Sequence, residues 1–262
     1  MNNYGWGLPI AASTYAGKID FGIWMIHAAM ITIFVLWGIF FTYLLVKFRA
    51  RPGVAAQRED HHEGGELKSL LPDFIVMGFE IALIVFYALP SWSSIKMQMP
   101  EEKDAVVVHV VAEQFGWNIH YPGPDGKFGR RKPELVHFNN PLGLDRSDPD
   151  AADDVVVGNE LHMPVGKRML IKLTSKDVIH DFFVPEFRIK QDAVPGMEIP
   201  VWIEPNRVGH YELACAQLCG FGHSLMRGDV FVDTPEDYEK WLKSRAAATP
   251  APAKPSNPAE EF

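Results

Sequence analysis

Cysteine is almost absent: Cys215 and Cys219 are the only two in 262 residues. Neither lies near the N-terminus, so no site for a lipid anchor is available there. Basic charge is also scarce, with 25 Lys and Arg against 33 Asp and Glu and a net charge of −8. That balance excludes nucleic-acid binding through a cationic surface. No internal repeats are visible, which argues against a repeat architecture. A mean hydropathy of −0.04 shows no overall apolar excess. The average hides two segments that are anything but average.

Phe21 to Val46 is almost wholly apolar, and its 26 residues exceed the roughly 20 that cross a bilayer. It is too long for a signal-peptide core. A basic stretch, Lys47-Phe48-Arg49-Ala50-Arg51, follows it where a cleavage site would need small residues. Phe74 to Leu89 is shorter and carries Glu80, so its hydropathy also suits a buried core helix. Lys47, Arg49, Arg51, Arg58 and Lys68 lie between the two segments, while the first 20 residues hold only Lys18. The positive-inside rule then sets the connection in the cytoplasm. The expected organisation is an outer segment at 1–20, a transmembrane helix at 21–46, a cytoplasmic loop at 47–73 and a second transmembrane helix at 74–96. Trp92 marks the outer end of the second helix. Everything beyond lies outside a bacterial-type inner membrane, in a multi-pass protein. His27, near the outer end of the first segment, fits an interfacial hydrogen bond.

Residues 97–245 change character. Ala105 to Ala112 is valine-dense and predicts a strand, as do Arg168 to Thr174, Met197 to Ile203, Val208 to Leu213 and Gly228 to Val232. Pro122-Gly123-Pro124-Asp125-Gly126 and Pro195-Gly196 punctuate them. Short strands without long helices between them indicate a β-sandwich or barrel. Leu142 to Gly158, with five aspartates, reads as an exposed acidic loop insertion. Thr234-Pro235-Glu236-Asp237 opens a short helix that runs to about Arg245, with Thr234 as N-cap. The Ala/Pro-rich stretch 246–262 reads as disordered. From 101 to 240 there are 24 Asp and Glu and 15 Lys and Arg, a net of about −9. Such a surface provides solubility, and it also steers a basic protein partner.

The two cysteines belong to one run, Cys215-Ala216-Gln217-Leu218-Cys219-Gly220-Phe221-Gly222-His223-Ser224-Leu225-Met226. Thiolates, an imidazole and a thioether make a soft donor set suited to copper, and a thiolate can bridge two metals. One more imidazole is needed from elsewhere, and His180, in Val178-Ile179-His180-Asp181-Phe182-Phe183-Val184-Pro185, is the best placed. Two cysteines outside the cytoplasm also pair as a disulfide, which remains the simplest alternative. A mononuclear blue-copper site uses one cysteine, so the second argues against it. His109, His120, His137, His162 and His210 lack a donor set and read as satisfied or solvent-facing.

The pattern Cys-x3-Cys-x3-His-x2-Met, with an upstream histidine in V-x-H-x-F-x-V-P, resembles the dinuclear CuA site of cytochrome c oxidase subunit II. The likeness runs over roughly residues 20 to 245. It implies a two-helix transmembrane hairpin followed by an all-β, cupredoxin-like Greek-key barrel. It also implies two copper ions bridged by Cys215 and Cys219. His180 and Met226 would complete one copper, and His223 with the backbone carbonyl of Gln217 the other. Gln114-Phe115-Gly116-Trp117 is similar to the family's Gln-Trp-x-Trp, whose first tryptophan takes in electrons from cytochrome c. Phe115 stands in that place, and Trp117 matches the second tryptophan, which also suits core packing. Ile189 to Met197 resembles a family segment ending in an arginine that faces a haem propionate; Met197 replaces that arginine. Gln217 replaces a glutamate that binds magnesium at the subunit interface. A neutral amide is the poorer hard-cation ligand, so the likeness does not carry the magnesium over.

The resemblance further implies an enzyme complex, a cytochrome c oxidase. This chain would accept electrons and pass them to haem in subunit I, where oxygen reduction and proton translocation occur. Its partners would be subunit I, the other oxidase subunits, the lipid bilayer, and either cytochrome c or a cytochrome domain of a larger assembly. Glu80 corresponds loosely to a glutamate at the mouth of a proton-uptake channel; Glu66 and Glu80 straddle the family's position. The alternatives are a copper-free subunit II of a quinol oxidase, or a non-catalytic membrane-anchored barrel with a disulfide.

Overall fold

The computed structural model describes residues 7–53 and 70–248. These divide into two compact units, one of residues 18–98 and one of the N-terminal residues up to 17 together with those from 99 onward.

The first unit is helical. Helix α1 spans Ala16–Lys47 and helix α2 spans Leu71–Lys96, both long and apolar enough to cross a membrane. Each begins a few residues earlier than the hydropathy alone indicates. Lys47 sits in the last turn of α1, where a cation meets the negative end of the helix dipole. Within α2, Ile84–Ala88 forms a π turn in which the Leu89 N–H reaches back to the Ile84 carbonyl. Pro90 follows directly; a regular α-helix would press its ring on the Phe86 carbonyl, and the wider turn relieves that. The helices touch through Tyr87. Its hydroxyl donates to the Lys18 carbonyl, and Gly22 leaves the space its ring occupies. Lys18 Nζ donates to Ser94 Oγ at 3.0 Å. The His27 ring bonds its own helix, with Nδ1 2.7 Å from the Ile23 carbonyl. Of the intervening loop, Arg58, Glu66 and Lys68 lie outside the described residues.

The second unit is a sandwich of two five-stranded sheets. The strands are β1 (Val106–Glu113), β2 (Gly116–Tyr121), β3 (Val155–Gly158), β4 (Glu160–Pro164), β5 (Met169–Ser175), β6 (His180–Val184), β7 (Ile189–Ala193), β8 (Ile199–Ile203), β9 (Gly209–Cys215) and β10 (Arg227–Asp233). One sheet runs β3-β2-β1-β5-β8 and the other β4-β10-β9-β6-β7. The β1–β5 and β4–β10 pairs are parallel and the rest antiparallel. This is the cupredoxin-like sandwich that the resemblance implies. Alternate residues of β1, β5, β9 and β10 point inward, and Val108, Val110, Ile171, Leu173, Leu213, Val230 and Val232 are buried with Trp117, Tyr121 and Phe182. Helix α3 (Pro235–Ala248) closes one end. Thr234 Oγ1 accepts the Asp237 N–H and donates to the Asp237 carboxylate, the expected cap. The helix includes Ala246 to Ala248, so the tail begins later than expected; residues 249–262 lie outside the described residues.

Two expectations need correction, and a third gains detail. Leu142 to Gly158 is not an exposed insertion: Leu142, Leu144, Ala151, Asp154 and Val155 are buried, and β3 closes it. Its aspartates act as internal acceptors. Asp145 pairs with Lys132 at 2.8 Å, Asp148 takes the Arg130 N–H, and Asp154 takes both His120 Nε2 and the Gly129 N–H at 2.8 Å. The N-terminal segment, read only as outside, is a strap on the sandwich. The Ala12 N–H donates to the Glu186 carbonyl, Thr14 to Glu204, and Asn206 back to Ala12, all within 3.0 Å. His162 is satisfied by two carboxylates and His120 Nε2 by Asp154, but His120 Nδ1 is buried without a partner, and so are both ring nitrogens of His109, which stacks on Phe128.

Burial, then the charges of Arg131, His120 and Lys172, push the His109 pKa down to about 3. The folded state thus holds His109 neutral while the unfolded chain protonates it near the ordinary value of 6.5. This histidine's contribution to stability is complete above that value and is lost as pH falls toward about 3. Denaturation midpoints of the detergent-purified chain should decline with acid across that window, and His109→Leu should flatten the decline. An unchanged acid limb in the variant contradicts this.

Candidate metal centre

Residues 215–226 form the loop joining β9 to β10. The Cys215 N–H donates to the Met226 carbonyl at 3.1 Å and closes the loop at its mouth. A 3-10 turn over His223–Leu225 brings His223 back toward Cys219. His180 arrives on β6, whose pairing with β9 sets Phe182 opposite Cys215.

Cys215 and Cys219 are free thiols with sulfurs 3.8 Å apart. His180 Nδ1 lies 3.1 Å from Met226 Sδ and 3.9 Å from Cys215 Sγ. His223 Nδ1 lies 3.6 Å from Cys219 Sγ, and the Gln217 carbonyl 3.2 Å from Cys215 Sγ. Met226 Sδ stands 3.8 Å from Cys219 Sγ. The structure thus brings His180, Cys215, Gln217, Cys219, His223 and Met226 together. His180 and Met226 are buried to within 1%. His180, Cys215 and Cys219 each offer an atom within 4.8 Å of the others, the one such trio of His, Cys, Asp or Glu among the described residues. A metal–thiolate bond is about 2.3 Å, so one ion can span sulfurs up to ~4.6 Å apart. The thiol pair therefore fits a bridging role, and the soft donors around it fit copper.

Burial and hydrogen bonds set the electrostatics of these donors. Burial, with the neighbouring Cys215, pushes the Cys219 thiol up to about 11. His180 Nε2 lies 2.8 Å from Asp177 Oδ1, leaving Nδ1 facing the sulfurs. Burial alone would raise the Asp177 pKa; hydrogen bonds from His180 and the Gln114 and Val178 N–H groups outweigh it and hold it below the usual range. Burial and a hydrogen bond shared with Asp192 raise Asp181 to about 6.

Phe115 lies at the loop, 39% exposed, whereas Trp117 is 1% exposed, with its ring edge-on to His180 and Phe182. Only Phe115 of this pair can meet a partner directly. Met197 is exposed, as is the Gln217 side chain. Glu80 is exposed on α2, one turn before the π turn. Asp177 and Gln114 are further neighbours of the donors; sequence reasoning passes over Asp177 and reaches Gln114 only within the aromatic motif. A carboxylate three residues before a candidate histidine ligand was the available signal for Asp177.

Residues 106–232 match the family described as the periplasmic domain of cytochrome c oxidase subunit II. The alternative cytochrome c oxidase subunit 2 of Bradyrhizobium diazoefficiens is 36% identical over 241 residues, covering 92% of this chain and 84% of that protein. Cytochrome c oxidase subunit 2 of Cereibacter sphaeroides is 28% identical over 94% of this chain and 82% of its own length. Among solved structures, the periplasmic domain of cytochrome oxidase subunit II of Bradyrhizobium japonicum is 26% identical, with a TM-score of 0.42, over 57% of this chain and 97% of that one.

Only the thiolate alkylates readily. In the metal-free protein, Cys219 should react slowly with iodoacetamide at about pH 8, and its rate should climb roughly tenfold per pH unit toward 11. Peptide mass spectrometry reads this; a rate that levels off by about pH 9 contradicts it.

Proposed function

The chain belongs to the cytochrome c oxidase subunit II family, and from that membership we propose that it is the electron-accepting subunit of a membrane-bound haem–copper oxidase, with two coppers held at Cys215 and Cys219. The observation that carries this reading is the set of donors gathered around two free thiols 3.8 Å apart. Cys215 and Cys219 would be shared by the two ions, with His180 and Met226 available to one and His223 with the Gln217 carbonyl to the other. When bound, the copper pair supplies one-electron redox chemistry at low reorganisation. The protein's part is to keep the donors still and dry. His180 is oriented by Asp177, and Met226 is a buried weak donor that tunes the potential.

The two helices anchor the protein, and the N-terminal strap supports a hairpin. Residues 12–14 bond the sandwich, and the chain rejoins that same unit from Met99. That connectivity suits a hairpin of two crossings. Lys47 ends α1, Arg49 and Arg51 follow it, and all three belong in the cytoplasm, so the copper domain is periplasmic or extracytoplasmic. Glu80 cannot face lipid as a charge, so it faces subunit I or another partner subunit, where proton uptake is the reading its depth favours. Leu218, Phe221 and Leu225 are exposed on the loop and give a redox partner an apolar contact. The acidic balance favours a basic donor, either cytochrome c or a cytochrome domain of a larger respiratory assembly. The electrons go on to haem in subunit I.

Metal analysis of the purified chain after copper loading should give two coppers per chain, and Cys215→Ser or Cys219→Ser should abolish the pair. Met226→Leu should retain both coppers and shift the midpoint potential. One copper, or none, at saturation defeats the dinuclear reading.

In the assembled oxidase, Glu80→Gln should slow proton-coupled turnover severalfold while copper content stays at the wild-type value. Unchanged turnover would make Glu80 a packing residue.

A further inference from the structure

The turn between β1 and β2 bonds both the ligand loop and the segment that leads into His180. The Gln114 side-chain amide donates to the Cys219 carbonyl at 2.6 Å, across 105 positions of sequence. The Gln114 backbone N–H donates to Asp177 Oδ2 at 2.7 Å. The other oxygen of that carboxylate lies 2.8 Å from His180 Nε2. A chain of three hydrogen bonds thus runs from the His180 ring through Asp177 and Gln114 to Cys219.

Phe115 completes the grip. A Cβ on Gly222 would stand 2.5 Å from the Phe115 ring, and one on Gly220 2.8 Å from the Gln114 amide nitrogen. Gly220 also has φ +138°, a conformation few side-chain-bearing residues adopt. Both glycines are therefore shaped by the turn that lies on them. The loop needs such an external hold. Gln217, Leu218, Gly220, Phe221, Ser224 and Leu225 are exposed, so few of its own side chains tie it to the core.

We propose that Gln114 is a positioning residue for the metal centre, fixing the Cys219 arm of the loop and the His180 ring in one relation, with Phe115 as the wedge that keeps the loop seated. Its donor chemistry is essential to that role. A carboxylate of the same size would turn an oxygen toward the Cys219 carbonyl, where no hydrogen bond can form. The consequence for copper rests on the dinuclear reading above; the brace itself does not.

The test uses the full chain in detergent. Gln114→Glu keeps the size and removes the donor. In metal-free protein it should raise the alkylation rates of both cysteines by about tenfold, the effect of one lost hydrogen bond on local opening. Gly222→Ala should do the same by displacing the Phe115 ring, and Phe115→Ala combined with Gly222→Ala should recover part of the protection. Leu161→Ala, a core change on β4 that touches neither the β1–β2 turn's hydrogen bonds nor the loop's glycines, controls for general destabilisation and should accelerate alkylation less than Gln114→Glu under native conditions. Copper-loaded Gln114→Glu should lose metal to a chelator several times faster than wild type and show an altered copper spectrum. Unchanged alkylation in Gln114→Glu, or equal acceleration in Leu161→Ala, overturns the proposal. A wild-type chain that takes up no copper would end the dinuclear reading, while the alkylation rates would still judge the brace.

Discussion

One backbone hydrogen bond governs the site: the Cys215 N–H to the Met226 carbonyl, at the mouth of the β9–β10 loop. It continues the strand register, in which Ala214 faces Arg227. Side chains alternate across a sheet, so a slip of one residue would send the Met226 sulfur to the opposite face. The buried residues flanking the mouth, Leu213 and Gly228 in one pairing and Tyr211 and Val230 in another, hold the register. The metal centre is thus an extension of core packing. The packing of β9 and β10 decides whether two sulfurs and a thioether meet.

Several carboxylates follow a second rule, that an acceptor drawn toward the interior finds donors for at least one oxygen. Asp154 closes on His120 and Gly129, Asp145 on Lys132 and Ser147, and Asp177 on His180, Gln114 and Val178. Asp145 and Asp154 are therefore engaged inside the protein, while most of the domain's acids stay at least partly exposed. Steering of a basic partner falls to the aspartates and glutamates that remain on the surface.

The ligand loop was legible because its spacing is local: four donors within twelve residues of sequence. The valine-rich β1 and the ends of β9 and β10 were legible for the same reason. Strands such as β2, with Asn118 and His120, and β6, with His180 and Asp181, carry polar residues in positions that only tertiary contacts satisfy. Propensity does not show those contacts. The aspartates between 145 and 154 looked solvent-facing because composition does not distinguish an exposed charge from an internal acceptor. Gln114 was legible only as part of a family motif; its partner Cys219 is too distant in sequence for any pattern to join them. The strap at Ala12 to Thr14 was hidden likewise, since its partners come from the far end of the chain.

The electron paramagnetic spectrum of the copper-loaded chain in its partly oxidised state tests the central claim most directly. Two thiolates shared by two ions should spread one unpaired electron over both. The expected result is a hyperfine pattern from two equivalent copper nuclei. A pattern from a single copper nucleus, with its larger splitting, would contradict a bridged pair at Cys215 and Cys219.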